Sequence, residues 1–248
     1  MSVFHTARVP AITAFLIFIY EEFVKFAKEI HRPEKMTYTA SHIMRLIHFD
    51  NLEDILKNGM YSKNSGHIIP NYVNIGDTIL IRQRENFKVR IDPPDGNLGD
   101  YIPFYFAGHS PMLLNIKTGN RGIRQRPQNE LIYIVCRINN IIEHCPEWCF
   151  TDGHAKNNLT KFYNHTDDLS KLDWDIIRQR FWNDTEDDMD RMRRKQAEFL
   201  VKGHVPTKCI CGIIVLDQEQ EEKVKSIQQK TDVIIPVYVD KQRKYFYP

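Results

Sequence analysis

Five runs of β-branched and aromatic residues limit what this chain can fold into. Tyr101-Ile-Pro-Phe-Tyr-Phe106, Leu131-Ile-Tyr-Ile-Val-Cys-Arg137, Phe199 to Val201, Cys211 to Leu216 and Val233 to Val239 all read as strands. Helical patterning between them is uneven. His48 to Gly59 has the signals of a helix, with Asp50 as cap, Leu52, Ile55 and Leu56 as apolar stripe and Gly59 as left-handed terminator. Ser110 to Ile116 reads as a capped helix with Pro111 in its first turn, and Gln218 to Lys230 as a further helix. Residues 63–100 are rich in Gly, Pro, Asn and Asp and predict a long functional loop with one short helix around Ile79 to Arg84. Residues 150–190 read as loop and helix, with Leu169, Leu172, Ile176 and Ile177 at helical spacing. Strands and helices therefore mix without the alternation of a doubly wound sheet, which predicts one α+β domain. No Gly-x-Gly-x-x-Gly or Gly-Lys-Ser/Thr motif occurs, which excludes Rossmann and P-loop nucleotide sites.

The chain has 248 residues, enough for a sizeable core, and a net charge of only +2, which gives no global polycation argument for nucleic acid. The charge is unevenly placed. Lys117 to Arg126 and Arg191 to Lys195 each carry four basic residues, and Asp184 to Asp190 holds five acids in seven positions. The basic runs suit a polyanion or a solvated face. Five cysteines (Cys136, Cys145, Cys149, Cys209 and Cys211) and no secretory signal predict reduced thiols in a cytoplasmic protein. Their spacing is not that of a zinc ribbon or finger, so no metal is expected; Cys209 and Cys211 would share one strand face. The apolar stretch Ala11 to Tyr20 falls well short of the about twenty residues a bilayer span requires. It runs instead into Phe23, Phe26, Ala27 and Ile30 at helical spacing, predicting a helix between Pro10 and Pro33 and an N-terminal extension over residues 1–40.

The segment Lys195-Gln-Ala-Glu-Phe-Leu-Val201 carries the sharpest chemical hint. If a strand starts at Glu198, period-two alternation puts Gln196 and Glu198 on one face and Ala197 on the other. One carboxylate and one amide would then stand side by side at the edge of a cleft, or simply in solvent.

Four blocks in order resemble the DarT family of bacterial toxins. They are Leu46-Ile-His-Phe-Asp-Asn-Leu52, Asp100-Tyr-Ile-Pro-Phe-Tyr-Phe106 with His109-Ser-Pro-Met-Leu113, Phe150-Thr-Asp-Gly-His-Ala155, and Lys195 to Val201. The resemblance covers about residues 42–247, including the aromatic end Tyr245-Phe-Tyr247. It implies an ADP-ribosyltransferase-type fold over residues 41–248, a mixed β core with flanking helices and long NAD and substrate loops. It also implies NAD as co-substrate, thymine in single-stranded DNA as acceptor, and a macrodomain antitoxin that reverses the modification. A transferase acting on RNA or protein, or a single-strand-binding module without catalysis, are the alternatives.

The resemblance assigns roles by position. Glu198 is the catalytic glutamate: scission of the nicotinamide glycosidic bond passes through an oxocarbenium-like sugar, and a carboxylate on the 2-hydroxyl binds harder as charge develops. An arginine is required in the loop before the Asp-Tyr-x-Pro block, where Arg82 and Arg84 are both available and spacing favours Arg84. A guanidinium stays protonated and makes a poor base, so its expected role is to stabilise a deprotonated imide or the NAD phosphates. Arg45, Leu46 and Ile47 open the implied NAD pocket, to which Asp54 and Ser62 are carried as further contacts. Gln196, His154, Asp152, His109 and Tyr105 are the implied substrate-binding residues, with an Asp152–His154 pair organising the loop as the structural alternative. Arg45 stands where many relatives carry His, and His109 where Arg is common.

Overall fold

A computed structural model describes residues 41–248, all of which fall within one compact unit; the helix expected between Pro10 and Pro33 lies outside the described residues. The strands are β1 (His42–His48), β2 (Met60–Tyr61), β3 (Tyr101–Tyr105), β4 (Leu131–Arg137), β5 (Trp148–Thr151), β6 (Phe162–Tyr163), β7 (Glu198–Lys202), β8 (His204–Val205), β9 (Ile210–Val215) and β10 (Val237–Val239). The α-helices are α1 (Leu52–Asn58), α2 (Thr78–Glu85), α3 (Pro111–Thr118), α4 (Ile138–His144), α5 (Trp174–Arg178), α6 (Arg191–Lys195) and α7 (Gln218–Thr231). Eight strands form one sheet in the order β10-β9-β4-β1-β3-β7-β5-β6, while β2 and β8 pair separately. Only β10 runs parallel to its neighbour β9; every other ladder of the large sheet is antiparallel. The fold is mixed α+β, as the uneven patterning predicts.

β4 lies inside the sheet between β9 and β1, and Leu131 to Cys136 are all buried on both faces. A strand with no exposed face reads as a continuous apolar run, which is how Leu131-Ile-Tyr-Ile-Val-Cys appears in the sequence. Alternation is clean in β7. Phe199 and Val201 join the main core, where Phe199 stacks on Trp148 at 5.4 Å between centroids, while Glu198 and Leu200 point to the opposite face. A fully buried side chain such as Phe199 contributes about 1.5–3 kcal/mol of transfer free energy. β3 divides in the same way, with Ile102 and Phe104 in the main core and Tyr101 in the second cluster.

Several elements differ from their sequence reading. His48 ends β1 rather than opening a helix, and a 3-10 turn (Phe49–Asn51) precedes α1. Asp50 lies within that turn, and the cap position of α1 falls to Asn51. Asn51 makes no side-chain cap because its amide is spent on the Val73 backbone, donating to the carbonyl and accepting from the N–H, both at 2.9 Å. β5 and β6 lie inside a region read as loop and helix; both are short, and turn residues crowd the segment between them. Val233 to Val239 forms a strand only from Val237, just past Pro236, which has no N–H to pair. Cys209 sits in a 3-10 turn before β9, so it does not share a strand face with Cys211. Among the described residues no helix is long and apolar enough to cross a membrane.

Candidate active site

Antiparallel register sets Tyr105 of β3 directly opposite Glu198 of β7. Both strands begin or end at the rim of a cleft of about 670 Å³, within the roughly 300–1,000 Å³ usual for small-molecule sites. The cleft is also lined by Arg45 and Leu46 of β1, Ile79 to Ile81 of α2, Arg121, His154 and Gln196.

Glu198 is only 4% exposed, and its side-chain and backbone partners come from α2, β5 and the turn after β5. Arg84 of α2 grips it with both fork nitrogens, Nη1 donating to Oε1 at 3.0 Å and Nη2 to Oε2 at 2.7 Å. The Ala155 N–H donates to Oε1 at 2.9 Å. The Glu198 N–H donates to Thr151 Oγ1 of β5, whose hydroxyl donates to the Gly153 carbonyl. Burial alone would raise the carboxyl pKa, but the Arg84 charge and fork, helped by His154 and the Ala155 N–H, hold it below its ordinary value. Burial likewise opposes the Arg84 charge, and Glu198 more than restores it. The pair is therefore an ionised carboxylate locked to a protonated guanidinium.

Burial raises the Tyr105 phenol above its usual range, so it stays a neutral donor; its hydroxyl lies 3.6 Å from the Met112 sulfur. His154 is pushed down by burial, against the opposite pull of Glu198, which favours a neutral imidazole. Arg45 donates from Nη1 to the Pro103 carbonyl at 2.9 Å, fixing its guanidinium at the cleft wall. Gln196 lines the cleft, but its amide turns back to donate to the Met192 carbonyl at 2.9 Å. Lys195 is buried, and its ammonium donates to the carbonyls of Gly108, Ile177 and Gln179 at 2.7–3.0 Å; burial draws its pKa down to about 7.

The structure thus brings Arg45, Leu46, Arg84, Tyr105, His154, Gln196 and Glu198 to one cleft. Of the two loop arginines, Arg84 meets Glu198, whereas Arg82 is exposed. Other expected residues lie outside the lining. Ile47 is in the main core. Asp54 accepts from Asn58 on α1, and Ser62 is buried, its N–H bonded to the Gly203 carbonyl. His109 is buried with its ring nitrogen on the Phe246 carbonyl at 2.9 Å. Asp152 pairs with Arg193 rather than His154, at 2.9 Å. The basic run Arg191 to Lys195 is not a free patch: Arg193 and Arg194 pair with Asp190, Asp188 and Asp173, and Lys195 is buried.

Thr151, the Ala155 N–H and Arg121 are site groups that the sequence reading did not single out. Arg121 falls in the basic run Lys117 to Arg126, where its isolation from acids is the only signal. A backbone N–H has no sequence signal at all. Among the described residues no group of three His, Cys, Asp or Glu is placed to hold a metal ion.

An ionised carboxylate beside a two-point cation, in a cleft with phenol, imidazole and apolar walls, suits a reaction in which a sugar gains positive charge. Comparison with known proteins agrees. The family model for DarT, described as an ssDNA thymidine ADP-ribosyltransferase, matches residues 44–247. A DNA ADP-ribosyl transferase of Escherichia coli O127:H6 is 38% identical over 177 residues, spanning 71% of this chain and 81% of that protein. One from Thermus sp. strain 2.9 is 32% identical over 195 residues, 78% of this chain and 90% of the relative. Among solved structures, Thermus sp. 2.9 DarT in complex with ADP-ribosylated ssDNA superposes with a TM-score of 0.75 at 30% identity, covering 86% of this chain and all of that one. Its complex with NAD+ gives 0.71 at 29% identity, covering 85% of this chain and all of that one. With its family model matched almost from β1 to the aromatic C-terminal turn, the chain belongs to the DarT family of single-stranded-DNA ADP-ribosyltransferases.

Proposed function

We propose that residues 41–248 transfer ADP-ribose from NAD to thymine in single-stranded DNA, with Glu198 and Arg84 as the reacting pair. The observation that carries this reading is the buried, ionised Glu198 held in a two-point grip by Arg84 at the head of a cleft of dinucleotide scale. In the Michaelis complex Glu198 accepts from the 2-hydroxyl of the nicotinamide ribose, and that contact strengthens as the glycosidic bond breaks. Arg84 then faces the acceptor base: the thymine N3 proton passes to solvent, the imide anion attacks the anomeric carbon as nicotinamide leaves, and the guanidinium, which cannot take the proton itself, stabilises the anion. Arg45 and Leu46 line the NAD side, Arg45 as a donor to a ribose hydroxyl or phosphate. Tyr105, His154 and Gln196 line the acceptor side.

In its family setting the chain is the toxin of a toxin–antitoxin pair, in the bacterial cytoplasm, with a macrodomain hydrolase as partner. Mass spectrometry of thymine-containing and thymine-free oligonucleotides after incubation with NAD tests the reaction. A mass gain of one ADP-ribose confined to the thymine-containing strand is the expected result, and labelling of RNA or protein alone would refute it. Restored growth on co-expression of a macrodomain hydrolase tests the partner.

A further inference from the structure

The connection from β5 to β6, residues 152–161, delivers the Ala155 N–H to Glu198, and two arginines from opposite sides hold that connection. Arg90, in the segment after α2, donates to three of its carbonyls: Asn157 at 2.6 Å, Asn158 at 2.9 Å and Thr160 at 3.0 Å. Its guanidinium also lies over the Phe162 ring at 5.3 Å, at the foot of the same turn. Arg193 of α6 approaches from the other side. Its fork closes on Asp190 with two bonds of 2.7 Å, and the remaining Nη1 protons reach Asp152 Oδ1 at 2.9 Å and Thr160 Oγ1 at 3.2 Å. Its own carbonyl accepts from the His154 N–H at 3.0 Å.

The turn closes on itself between these anchors. Asp152 Oδ1 accepts from the Lys161 N–H, and Thr160 Oγ1 donates to the His154 carbonyl at 2.9 Å. Gly153 lies flat on Arg193: a Cβ there would stand 2.4 Å from Nη1 and 2.9 Å from the Arg193 carbonyl oxygen. Arg193 is 12% exposed and has a carboxylate partner at each end of its fork. A guanidinium so engaged cannot also grip a phosphate without releasing Asp190 or Asp152.

We infer that Arg193 and Arg90 are positioning residues, which, with Thr160 as the link between them, hold the Ala155 N–H on Glu198 Oε1 and so set the angle of the carboxylate. The inference rests on Glu198 being the group that acts on the NAD ribose. Loss of the clamp swings the turn and removes one of the three donors on the carboxylate; of the other titratable groups facing Glu198, His154 rides on the turn and moves with it, while Arg84, Tyr105 and Cys149 stay in place.

The test is steady-state transfer to a thymine-containing single-stranded oligonucleotide by Arg193→Lys, Arg90→Lys, Thr160→Val and Thr160→Ser, with Tm measured for each. Misplacement by a fraction of an ångström predicts a kcat lower by about 10- to 100-fold in the two Lys variants and Thr160→Val, with the KM values for NAD and oligonucleotide within about threefold. The acid limb of kcat moves to higher pH in the same variants, because the N–H that favours the charged carboxylate is lost. Thr160→Ser keeps both hydrogen bonds and the wild-type kcat. If the arginine variants do not fold, the Thr160 pair decides alone. A rise in KM for the oligonucleotide with kcat unchanged makes Arg193 a DNA contact and overturns the inference, as does an unmoved acid limb. Glu198→Gln is run in parallel. Retained transfer there removes the role given to Glu198, whereas an inactive Glu198→Gln beside clamp variants of wild-type kcat refutes the clamp alone.

Discussion

Arg84 reaches across from α2 to hold both carboxylate oxygens of Glu198, 114 residues further along the chain, at 3.0 and 2.7 Å. The bond joins α2 to β7, so one contact aligns two walls of the cleft. Such a pair is costly to desolvate and expensive to break on one side only. Its presence at the head of an open cleft, rather than in the core, is what supports the proposed role of the pair.

Replacing Glu198 with Ala removes the acceptor for the ribose hydroxyl. The expected loss is on the order of 10²–10³ in kcat, the scale of deleting one preorganised transition-state hydrogen bond. NAD binding changes little, since the contact grows mainly as charge develops on the sugar. Rapid-quench transfer assays with isothermal titration of NAD separate the two, and toxicity to an expressing cell should vanish. An NAD affinity that falls as far as the rate would make Glu198 a uniform binding residue.

Arg84→Lys leaves a positive charge but not a planar fork, and Arg84→Ala leaves a buried carboxylate with no counter-ion. Both should abolish transfer to DNA, because an ammonium cannot make the two-point contact. The pH dependence has a definite sign. Glu198 is held below its ordinary pKa, so wild-type kcat/KM for NAD hydrolysis should stay flat down to about pH 4.3 and fall only below it. In Arg84→Ala burial is opposed only by His154 and the Ala155 N–H, so that limb moves to higher pH than in the wild type for whatever hydrolysis survives. Stability follows the same linkage: the wild-type contribution is complete above the unfolded-state value of about 4.3 and is lost as pH falls through the depressed folded value. Arg82→Ala, at an exposed position on the same helix, should change only salt sensitivity. A dead Arg82→Ala with an active Arg84→Ala would reverse the assignment.

The site was legible where chemistry sits in side chains and opaque where it sits in the backbone. Glu198 and Arg84 could be named because the family blocks fixed their order and the spacing favoured Arg84 over Arg82, and the structure brings the two side chains together. Asp152 and His154 form no pair, because the nearby Arg193 offers Asp152 a charged donor that a neutral imidazole cannot match. His109 is expected among the substrate-binding residues, yet the C-terminal turn folds over it. The carbonyl of Phe246 meets its ring, and the Tyr247 hydroxyl donates to its carbonyl at 2.7 Å. That contact spans 138 residues, and no local pattern announces it. In the fold, β4 was plain because burial on both faces leaves a continuous apolar run. β5 was missed because four residues between Pro146 and Asp152 carry too little periodicity to stand against their turn-forming neighbours.

Lys195 is the fixed point of the approach to β7. Its ammonium holds three carbonyls from two other segments, Gly108 and the Ile177–Gln179 turn. Lys195→Met keeps the length and apolar stem but leaves those carbonyls without a donor. At about 1–3 kcal/mol for a buried group left unsatisfied, partly met by water, the variant should lose several kcal/mol. Urea denaturation should show a lower midpoint with unchanged m value. A midpoint within error of the wild type would mean that water replaces the ammonium fully.

Arg45 lines the cleft, its guanidinium held by the Pro103 carbonyl, on the side that the proposed function gives to NAD. Arg45→Ala should raise the KM for NAD by about tenfold, the worth of one good polar contact of about 1.4 kcal/mol, and leave kcat within about threefold. Arg45→His, the residue many relatives carry, should restore part of the affinity if the contact is to a ribose hydroxyl. If it is to a phosphate, Arg45→Lys should restore more than Arg45→His does. Initial-rate measurements over NAD concentration distinguish these, and a KM unchanged in Arg45→Ala removes the residue from the NAD site.

Access to the acceptor decides the form of DNA that reacts. The carboxylate of Glu198 is only 4% exposed and is reached through the cleft rather than from a flat surface, so a base must enter edge-first and free of its partner. In a duplex the thymine N3 edge is paired and its faces are stacked, and extruding it costs a few kcal/mol before any contact repays the loss. Among the described residues the aromatic side chains lining the cleft are Tyr72, which is half exposed, and Tyr105, paired with Glu198 in the sheet. Transfer to a single-stranded thymine oligonucleotide should therefore exceed transfer to the same strand in a perfect duplex by about 10²-fold, the equivalent of roughly 3 kcal/mol. A thymine in a single-strand gap or opposite a mismatch should recover most of that difference. Time courses on the three substrates at one salt concentration measure it, and equal rates on duplex and single strand would refute the requirement for an unpaired base.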